Sequence, residues 1–190
     1  MKFGTKIALA LTLCGSQIHA SEYDAAMQSF LDGNIRNWAT APEIVSAIQS
    51  QNTTTSGFDE AHIIDLHTVW RSEAGSDSTP TITPVLNNAA AEFLRGQVAQ
   101  MDGMITEVFI MDSVGLNVAA SGVTSDYWQG DEAKFTQTYA VGSDAVHFSD
   151  IDFDESSQSY QAQISFTIID PASGAPIGAM TVGVLADGLM

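Results

Sequence analysis

The sequence is poor in cysteine and in positive charge. Its 190 residues include one cysteine, Cys14, and six lysines and arginines against 23 aspartates and glutamates, which gives a formal net charge of −17. Such an excess of negative charge repels nucleic acid phosphates and anionic membranes, so we expect neither as a partner. A hydrophobic content of 45% excludes a disordered chain, and the length fits one domain with a proper core.

The sequence also lacks an apolar run of the ~20 residues that a membrane-spanning helix needs. Its first residues instead follow the pattern of a secretory signal. Lys2 and Lys6 precede an apolar stretch over 7–13, and Ile18-His19-Ala20 is similar to a cleavage site. We therefore predict a signal peptide over 1–20 and a single periplasmic or secreted domain over 21–190.

Cleavage after Ala20 would remove the thiol and part of the positive charge. Cys14 lies inside the predicted signal, so the mature chain would have no cysteine chemistry. The alternative is a lipidated Cys14, but Leu13 stands where a lipoprotein signal has a small residue. Four cations would remain against 23 acids, a net charge of −19, so an anionic ligand would have few side-chain partners. These cations are Arg36, Arg71, Arg95 and Lys134.

The first half of the mature chain follows the period of helices. Apolar residues recur at helical spacing in each of four segments. Thr40 and Glu43, with Pro42 between them, are typical of a capping box that begins the second helix. Polar residues over 52–57 and a loop over 72–80 predict breaks. The four predicted helices cover 21–38, 41–51, 59–71 and 83–101.

The second half changes to the period of strands. Residues 106–111 and 116–121 are predicted to form a hairpin around a turn over 112–115. Residues 161–168 alternate strictly between polar and apolar, which predicts an antiparallel strand with one buried face. The order of elements predicts an α+β domain in which the N-terminal helices pack on an antiparallel sheet of about five strands. The remaining predicted elements are a helix over 131–140 and strands over 147–153 and 177–185.

Two segments carry a resemblance to a known family. Residues 111–121, MDSVGLNVAAS, resemble the central hairpin of the Cache superfamily, the PAS-like extracellular sensor domains also called PDC domains. Residues 124–135, TSDYWQGDEAKF, resemble the pocket-side loop and helix of the stand-alone, single-Cache subgroup. Asp170 before a turn and Ile177-Gly178-Ala179 after it are similar to the closing strands of the family.

The resemblance implies a PAS-like fold and a binding function. Family members usually sit between two transmembrane helices of a chemoreceptor, histidine kinase or cyclase, and they bind small metabolites, often carboxylates or amino acids. This chain shows no second membrane helix and no signalling domain. We therefore expect a periplasmic sensor module that binds a small molecule without catalysis and passes its signal to a partner such as a membrane-bound signalling protein. The N-terminal helices, which mediate dimers in receptor relatives, imply a homodimer.

The predicted ligand site centres on the loop that follows the hairpin. Tyr127 and Trp128 can wall a small pocket in which a few polar groups orient a ligand. Lys134, three residues after Asp131, can neutralise a carboxylate if that helix forms. The alternative is a loop that packs its own aromatics, with an exposed Lys134 paired to Asp131. The predicted ligand-binding residues are Ser121, Asp126, Tyr127, Trp128, Gln129, Asp131, Lys134 and Tyr139.

No catalytic or metal-binding motif stands out in the sequence. There is no nucleophile elbow, no glycine-rich phosphate loop and no paired His-Glu metalloprotease motif. His62 and His67 are five apart, which places them on different faces of a helix. Residues 150–155 resemble the opening of a calcium loop, but Glu155 and Gln161 replace its glycine and final glutamate, so an acidic edge strand is favoured. We expect no enzyme, no metal and no cofactor; the alternative function is a ligand-independent module that docks on a membrane sensor kinase or transporter.

Overall fold

The computed structural model describes residues 17–154 and 158–189. Most of the predicted signal peptide, including Cys14, lies outside these residues, so its cleavage stays a prediction. Over 17–154 and 158–189, no helix has both the length and the apolarity to span a membrane. The helices are α1 (Gln17–Phe30), α2 (Pro42–Thr55), α3 (Glu60–Glu73), α4 (Ile82–Leu86), α5 (Ala89–Ala99) and α6 (Ala133–Thr136). The strands are β1 (Ile105–Met111), β2 (Asn117–Ala120), β3 (Val146–Phe148), β4 (Asp152–Asp154), β5 (Ser159–Ile169) and β6 (Pro176–Leu185).

The first two predicted helices exist, but they end differently from the prediction. α1 continues through a π-helical turn (Leu31–Ile35) and a 3-10 turn (Arg36–Thr40). The predicted capping box is wrong, because Ala41 precedes α2 without a side-chain cap and the Thr40 hydroxyl donates to the Asn37 carbonyl at 2.9 Å. The predicted break over 52–57 is also wrong, since α2 continues to Thr55. The Thr53 and Thr55 hydroxyls donate back to the Gln49 and Gln51 carbonyls, so the threonines of this polar segment are compatible with a helix.

The fourth predicted helix is divided by Asn88. The Asn88 side-chain oxygen accepts from the Ala91 amide at 2.9 Å and caps α5, while its amide nitrogen donates to the Val118 carbonyl at 3.0 Å. Apolar spacing does not register such a cap, so 83–101 was predicted as one helix and is wrong in that respect. The helix predicted over 131–140 shortens to α6, and the strand predicted over 147–153 separates into β3 and β4.

The strands form one antiparallel sheet in the order β2-β1-β6-β5, with β3 and β4 paired one after the other along the outer edge of β5. Phe109 of β1 and Ser165 of β5 both align with Thr181 of β6. Because β3 and β4 are separate, the described residues contain six strands rather than about five. The predicted α+β, PAS-like architecture is confirmed, and the acidic segment 152–154 is an edge strand as favoured from the sequence.

Both faces of the sheet are covered. The first face packs Ile110, Ile164 and Val182 against α1, α2 and α5. On the second face, Phe109 and Met111 belong to a cluster that includes Trp70, Tyr127 and Phe135. The polar side of β5 is therefore buried as well, and the single buried face predicted for 161–168 is wrong. Ser165 on that side is fully buried and shares a hydrogen bond of 3.0 Å with the Thr181 hydroxyl.

Gly178 lies where β6 meets both β1 and α2. A Cβ atom here would overlap the Met111 carbonyl oxygen and would lie 3.2 Å from Ile48. We expect Gly178→Ala to lower the free energy of unfolding by roughly 1–3 kcal/mol, because a strand backbone would have to move. Gly96→Ala on α5 is the control: it meets no atom within 4 Å, and alanine gains ~0.5–1 kcal/mol of helix propensity. Urea unfolding of both variants measures the difference, and equal midpoints would contradict the crowding at Gly178.

Candidate functional site

A cleft of about 540 Å³ opens between α2, α3, α4 and the β2 edge of the sheet. This volume falls in the range of small-molecule sites. We call it the helical cleft. Its lining residues are Ala47, Ser50, Gln51, Thr54, Thr55, Phe58, His62, Leu66, Thr81, Pro84, Val85, Asn88, Val118 and Tyr127.

The helical cleft has an apolar floor and a polar mouth. Val85, Val118 and Tyr127 are buried, with at most 9% of their surface exposed. Ser50 and Thr54 of α2 are exposed at the mouth. A ligand bound here would bury an apolar part against the floor and keep its polar groups near α2.

Several hydroxyls in the helical cleft are not engaged by the protein. Within residues 17–154 and 158–189, the side chains of Ser50, Thr54 and Tyr127 take part in no hydrogen bond. By contrast, the Thr53 hydroxyl donates to the Gln49 carbonyl, and the Thr55 hydroxyl is shared between the Gln51 carbonyl and the Asp112 carboxylate. The free hydroxyls can therefore donate to or accept from a bound molecule without breaking an existing bond.

The wall formed by α2 is fixed to the central hairpin by Asp112. The Gln51 amide and the Thr55 hydroxyl donate to one oxygen of this carboxylate, at 3.0 and 2.8 Å. The backbone amides of Val114 and Leu116 donate to the other oxygen, at 3.0 and 2.9 Å. Asp112 is fully buried and pairs with no cation in the described residues. The turn between β1 and β2 and the C-terminal part of α2 are therefore joined by one hydrogen-bond network.

Tyr127 forms the aromatic part of the floor. Its ring stacks on Trp70 of α3, with centroids 5.0 Å apart and planes inclined by 6°. The Trp70 indole N–H donates to the Thr124 carbonyl at 2.9 Å, which ties α3 to the loop that carries Tyr127. Burial, and then the negative charge of Asp112, raises the pKa of Tyr127 to about 12. The phenol thus stays neutral and keeps a proton to donate.

Glu73, at the end of α3, holds the beginning of α4. Its carboxylate accepts the Thr81 amide at 2.8 Å and the Ile82 amide at 3.0 Å. Burial works against the charge, but the hydrogen bonds from Ile82 and Thr81 outweigh it and lower the pKa of Glu73. This carboxylate positions the wall that carries Val85, and no spacing in the sequence pointed to it.

Among the residues predicted for the site, Tyr127 lines the helical cleft. Asp126, Trp128 and Asp131 line a separate depression of about 290 Å³ beside His67. The Asp126 carboxylate lies 3.5 Å from the His67 Nε2 atom. Ser121 lies elsewhere again: its hydroxyl oxygen accepts the Val108 amide at 2.9 Å and prolongs the ladder between β1 and β2.

The other predicted residues pack beside the second face of the sheet. The buried Gln129 side chain donates to the Asp126 carbonyl at 2.9 Å and accepts from Lys134 at 3.3 Å. Lys134 pairs with Glu132 at 3.0 Å, so the alternative pairing with Asp131 is wrong. Tyr139 stacks on Phe135 with centroids 5.3 Å apart. The structure brings Gln129 and Lys134 together. Direct contact of any of the predicted residues with a ligand stays a prediction.

The sequence-based prediction missed the helical residues of the cleft. Ser50 and Thr54 lie in a polar run, and the sequence pattern predicts a break between helices over 52–57. His62 was considered only for zinc, and it lies at the cleft on a different face of α3 from His67. Over the described ranges, no group of three or more histidines, cysteines, aspartates or glutamates is arranged to hold a metal ion.

Comparison with solved structures identifies the fold. The crystal structure of the sensor domain of E. coli DcuS matches with a TM-score of 0.51 and 12% sequence identity, over 89% of this chain and 95% of that domain. The chain has the fold of a Cache-type extracellular sensor domain. No protein-family model matches the sequence, and no curated protein is similar to it in sequence. Assignment of the chain to the single-Cache subgroup stays a prediction.

Larger sensor domains also match, with lower scores. The ligand-binding domain of the Campylobacter jejuni chemoreceptor Tlp3, in complex with 4-methylisoleucine, has a TM-score of 0.40 and 11% identity over 89% of this chain. The sensor domain of the V. cholerae histidine kinase DctB has a TM-score of 0.38 and 12% identity over 90% of this chain. This chain spans 62% of the first and 56% of the second, so it is similar to a part of each.

The raised pKa of Tyr127 predicts a late ionisation. A neutral phenol is favoured in the folded state, so its contribution to stability is complete below about pH 10 and is lost as the pH rises toward about 12. The tyrosinate absorbance of the folded protein should therefore include a step near pH 12 that Tyr127→Phe removes. Asp112→Asn should move this step to lower pH. A titration of Tyr127→Phe identical to that of the natural protein would contradict the assignment.

The lowered pKa of Glu73 predicts a loss of stability in acid. Its stabilising contribution is present above the usual glutamate pKa of 4.5 and is lost as the pH falls through the lowered value. Glu73→Gln should therefore be less stable than the natural protein at neutral pH and should lose less stability on acidification. Glu60→Gln, on the exposed first turn of α3, is the control. Urea unfolding at several pH values measures both slopes, and parallel acid profiles would refute the role of Glu73.

Proposed function

We propose that this chain is a non-catalytic sensor module that works outside the cytoplasm and binds a small molecule in the helical cleft. The observation that carries the proposal is the cleft itself, whose apolar floor and unengaged hydroxyls are those of a ligand site rather than of a packing defect. The Cache fold supports the proposed sensing function, because the DcuS structure that shares this fold is a sensor domain.

The position of the helical cleft also supports a sensing role. Ser50 and Thr54 belong to the part of α2 that holds Asp112 through Gln51 and Thr55. A ligand in contact with α2 would therefore bear on the helix that is bonded to the central hairpin. A shift of α2 would displace the hairpin of β1 and β2, because the hydrogen bonds to Asp112 link this helix directly to the hairpin.

The location and the partners are further parts of the proposal. The basic and apolar N-terminal residues support export to the periplasm or the medium. A membrane-bound signalling protein as receiver of the signal, and a homodimer through the N-terminal helices, follow from the family resemblance alone. Size determination of the exported protein in solution tests the homodimer.

A thermal-shift screen tests the binding function. We expect at least one compound from a panel of organic acids, amino acids, alcohols and sugars to stabilise the protein; a ligand at 100 times its Kd adds ~2.7 kcal/mol. Thr54→Leu should abolish the shift by filling the mouth of the helical cleft. Thr53→Leu is the matched control, since Thr53 is also exposed on α2 but does not line the cleft.

Two results would overturn the proposed function. One is a panel in which no compound stabilises the protein. The other is a shift that survives in Thr54→Leu, which would put the ligand elsewhere. Co-purification of an unresponsive protein with a membrane sensor kinase or transporter would favour the alternative interaction module.

A further inference from the structure

We propose that the helical cleft selects an uncharged small molecule, one with an apolar body and at least one hydroxyl or carbonyl group, and rejects carboxylates and phosphates. The inference rests on the proposed binding function and specifies its ligand class. It departs from the carboxylate or amino acid ligand that the family resemblance implied, and its basis is the charge and hydrogen-bonding chemistry of the cleft.

The helical cleft offers no fixed charge to an ionic ligand. No lysine, arginine, aspartate or glutamate is among its lining residues. His62 and Tyr127 are the ionisable groups of the lining. The phenol of Tyr127 stays protonated, because burial raises its pKa to about 12.

The cations of the described chain are placed elsewhere. Arg36 pairs with Asp32 at 2.7 Å, and Lys134 pairs with Glu132 at 3.0 Å. Arg95 donates to the Leu86 carbonyl at 2.7 Å. Arg71 lines the depression beside His67 and not the helical cleft. A carboxylate on the buried floor of the cleft would therefore lose its hydration without gaining an arginine or lysine partner, which is strongly unfavourable.

The surrounding charge adds to this selection against anions. The whole chain has a net charge of −17, which lowers the local concentration of anionic molecules. Asp112 lies directly behind two lining residues, since Gln51 and Thr55 both donate to it. An anion on the floor would thus face a buried carboxylate that has no counter-ion in the described residues.

A cationic ligand would gain little from the negative charge of Asp112. The two oxygens of Asp112 already accept four hydrogen bonds, and Thr55 and Gln51 stand between this carboxylate and the cleft. An ammonium group would therefore feel attraction at a distance but would find no carboxylate to bind directly. Its hydration would be lost without a charged partner, as for an anion.

An uncharged molecule matches both parts of the lining. Val85, Val118 and the Tyr127 ring can cover an apolar body on the floor. The Ser50 and Thr54 hydroxyls can then bond a hydroxyl or carbonyl near the mouth, and the Tyr127 phenol can bond one at depth. Hydrogen bonds to all of these groups require no buried charge. An uncharged molecule therefore binds without the free-energy cost of removing an ion from water.

Compounds that share a skeleton and differ in charge test the proposal. One set is 2-phenylethanol, phenylacetate and 2-phenylethylamine; the other is 3-methylbutan-1-ol, 3-methylbutanoate and 3-methylbutylamine. Titration calorimetry of the exported protein at neutral pH should show the alcohol of a set binding at least about tenfold more tightly than its charged partners. Tyr127→Phe should weaken the binding of the alcohol about three- to tenfold, which is the usual range for the loss of one neutral hydrogen bond. Ser50→Ala should weaken it likewise, whereas Ser46→Ala, exposed on α2 outside the lining, should not.

The outcomes separate the ligand class from the binding function. A carboxylate or amine that binds as tightly as the alcohol, and that Thr54→Leu displaces, overturns the uncharged ligand and leaves the binding function standing. If these sets do not bind, the stabilising compounds of the broad panel decide in the same way by their charge. If no compound of any kind binds, both the ligand class and the proposed function fall.

Discussion

The structure around the helical cleft depends on the buried carboxylate of Asp112, which has no counter-ion among the residues that the structure describes. The two side-chain oxygens of Asp112 accept four hydrogen bonds in the core, two from the turn that it begins and two from α2. Loss of such bonds leaves buried donors unpaired, at about 1–3 kcal/mol each. The carboxylate therefore fixes at once the shape of the β1–β2 turn and the position of α2. Asp112 thus holds α2, one wall of the helical cleft, against the central hairpin.

The two-layered covering of the sheet explains why the cleft lies at its edge. The first face is filled by α1, α2 and α5, and the second by the cluster around Phe109, Tyr127 and Trp70. The helical cleft lies between α2, α3, α4 and the short strand β2, at the edge of this packing. Inside the second layer, the buried Ser165 and Thr181 hydroxyls share a hydrogen bond.

The sequence predicts the architecture better than the site. Alternation and helical spacing locate the hairpin, the closing strands and four of the helices, because these patterns record which residues face the core. They do not record side-chain caps such as Asn88, or threonines that bond within a helix, and those features set the helix ends. The cleft is assembled from α2, α3, α4 and Tyr127, which lie far apart in sequence. The loop around Tyr127 was recognised by its aromatic residues, but the free hydroxyls of Ser50 and Thr54 are visible only once the fold shows which threonines are engaged.

For the proposed ligand, the stacking of Tyr127 on Trp70 would determine which end of the molecule can vary. The Trp70 ring is fully buried and its N–H is bonded to Thr124, so the floor cannot recede toward the sheet. The mouth, by contrast, is bordered by exposed residues of α2 and α3. In a series of homologous compounds, added bulk at the deep end would be penalised steeply, while substituents directed outward would be tolerated. The protein would then select ligands by the part that lies on the floor of the cleft and would tolerate different substituents at the mouth.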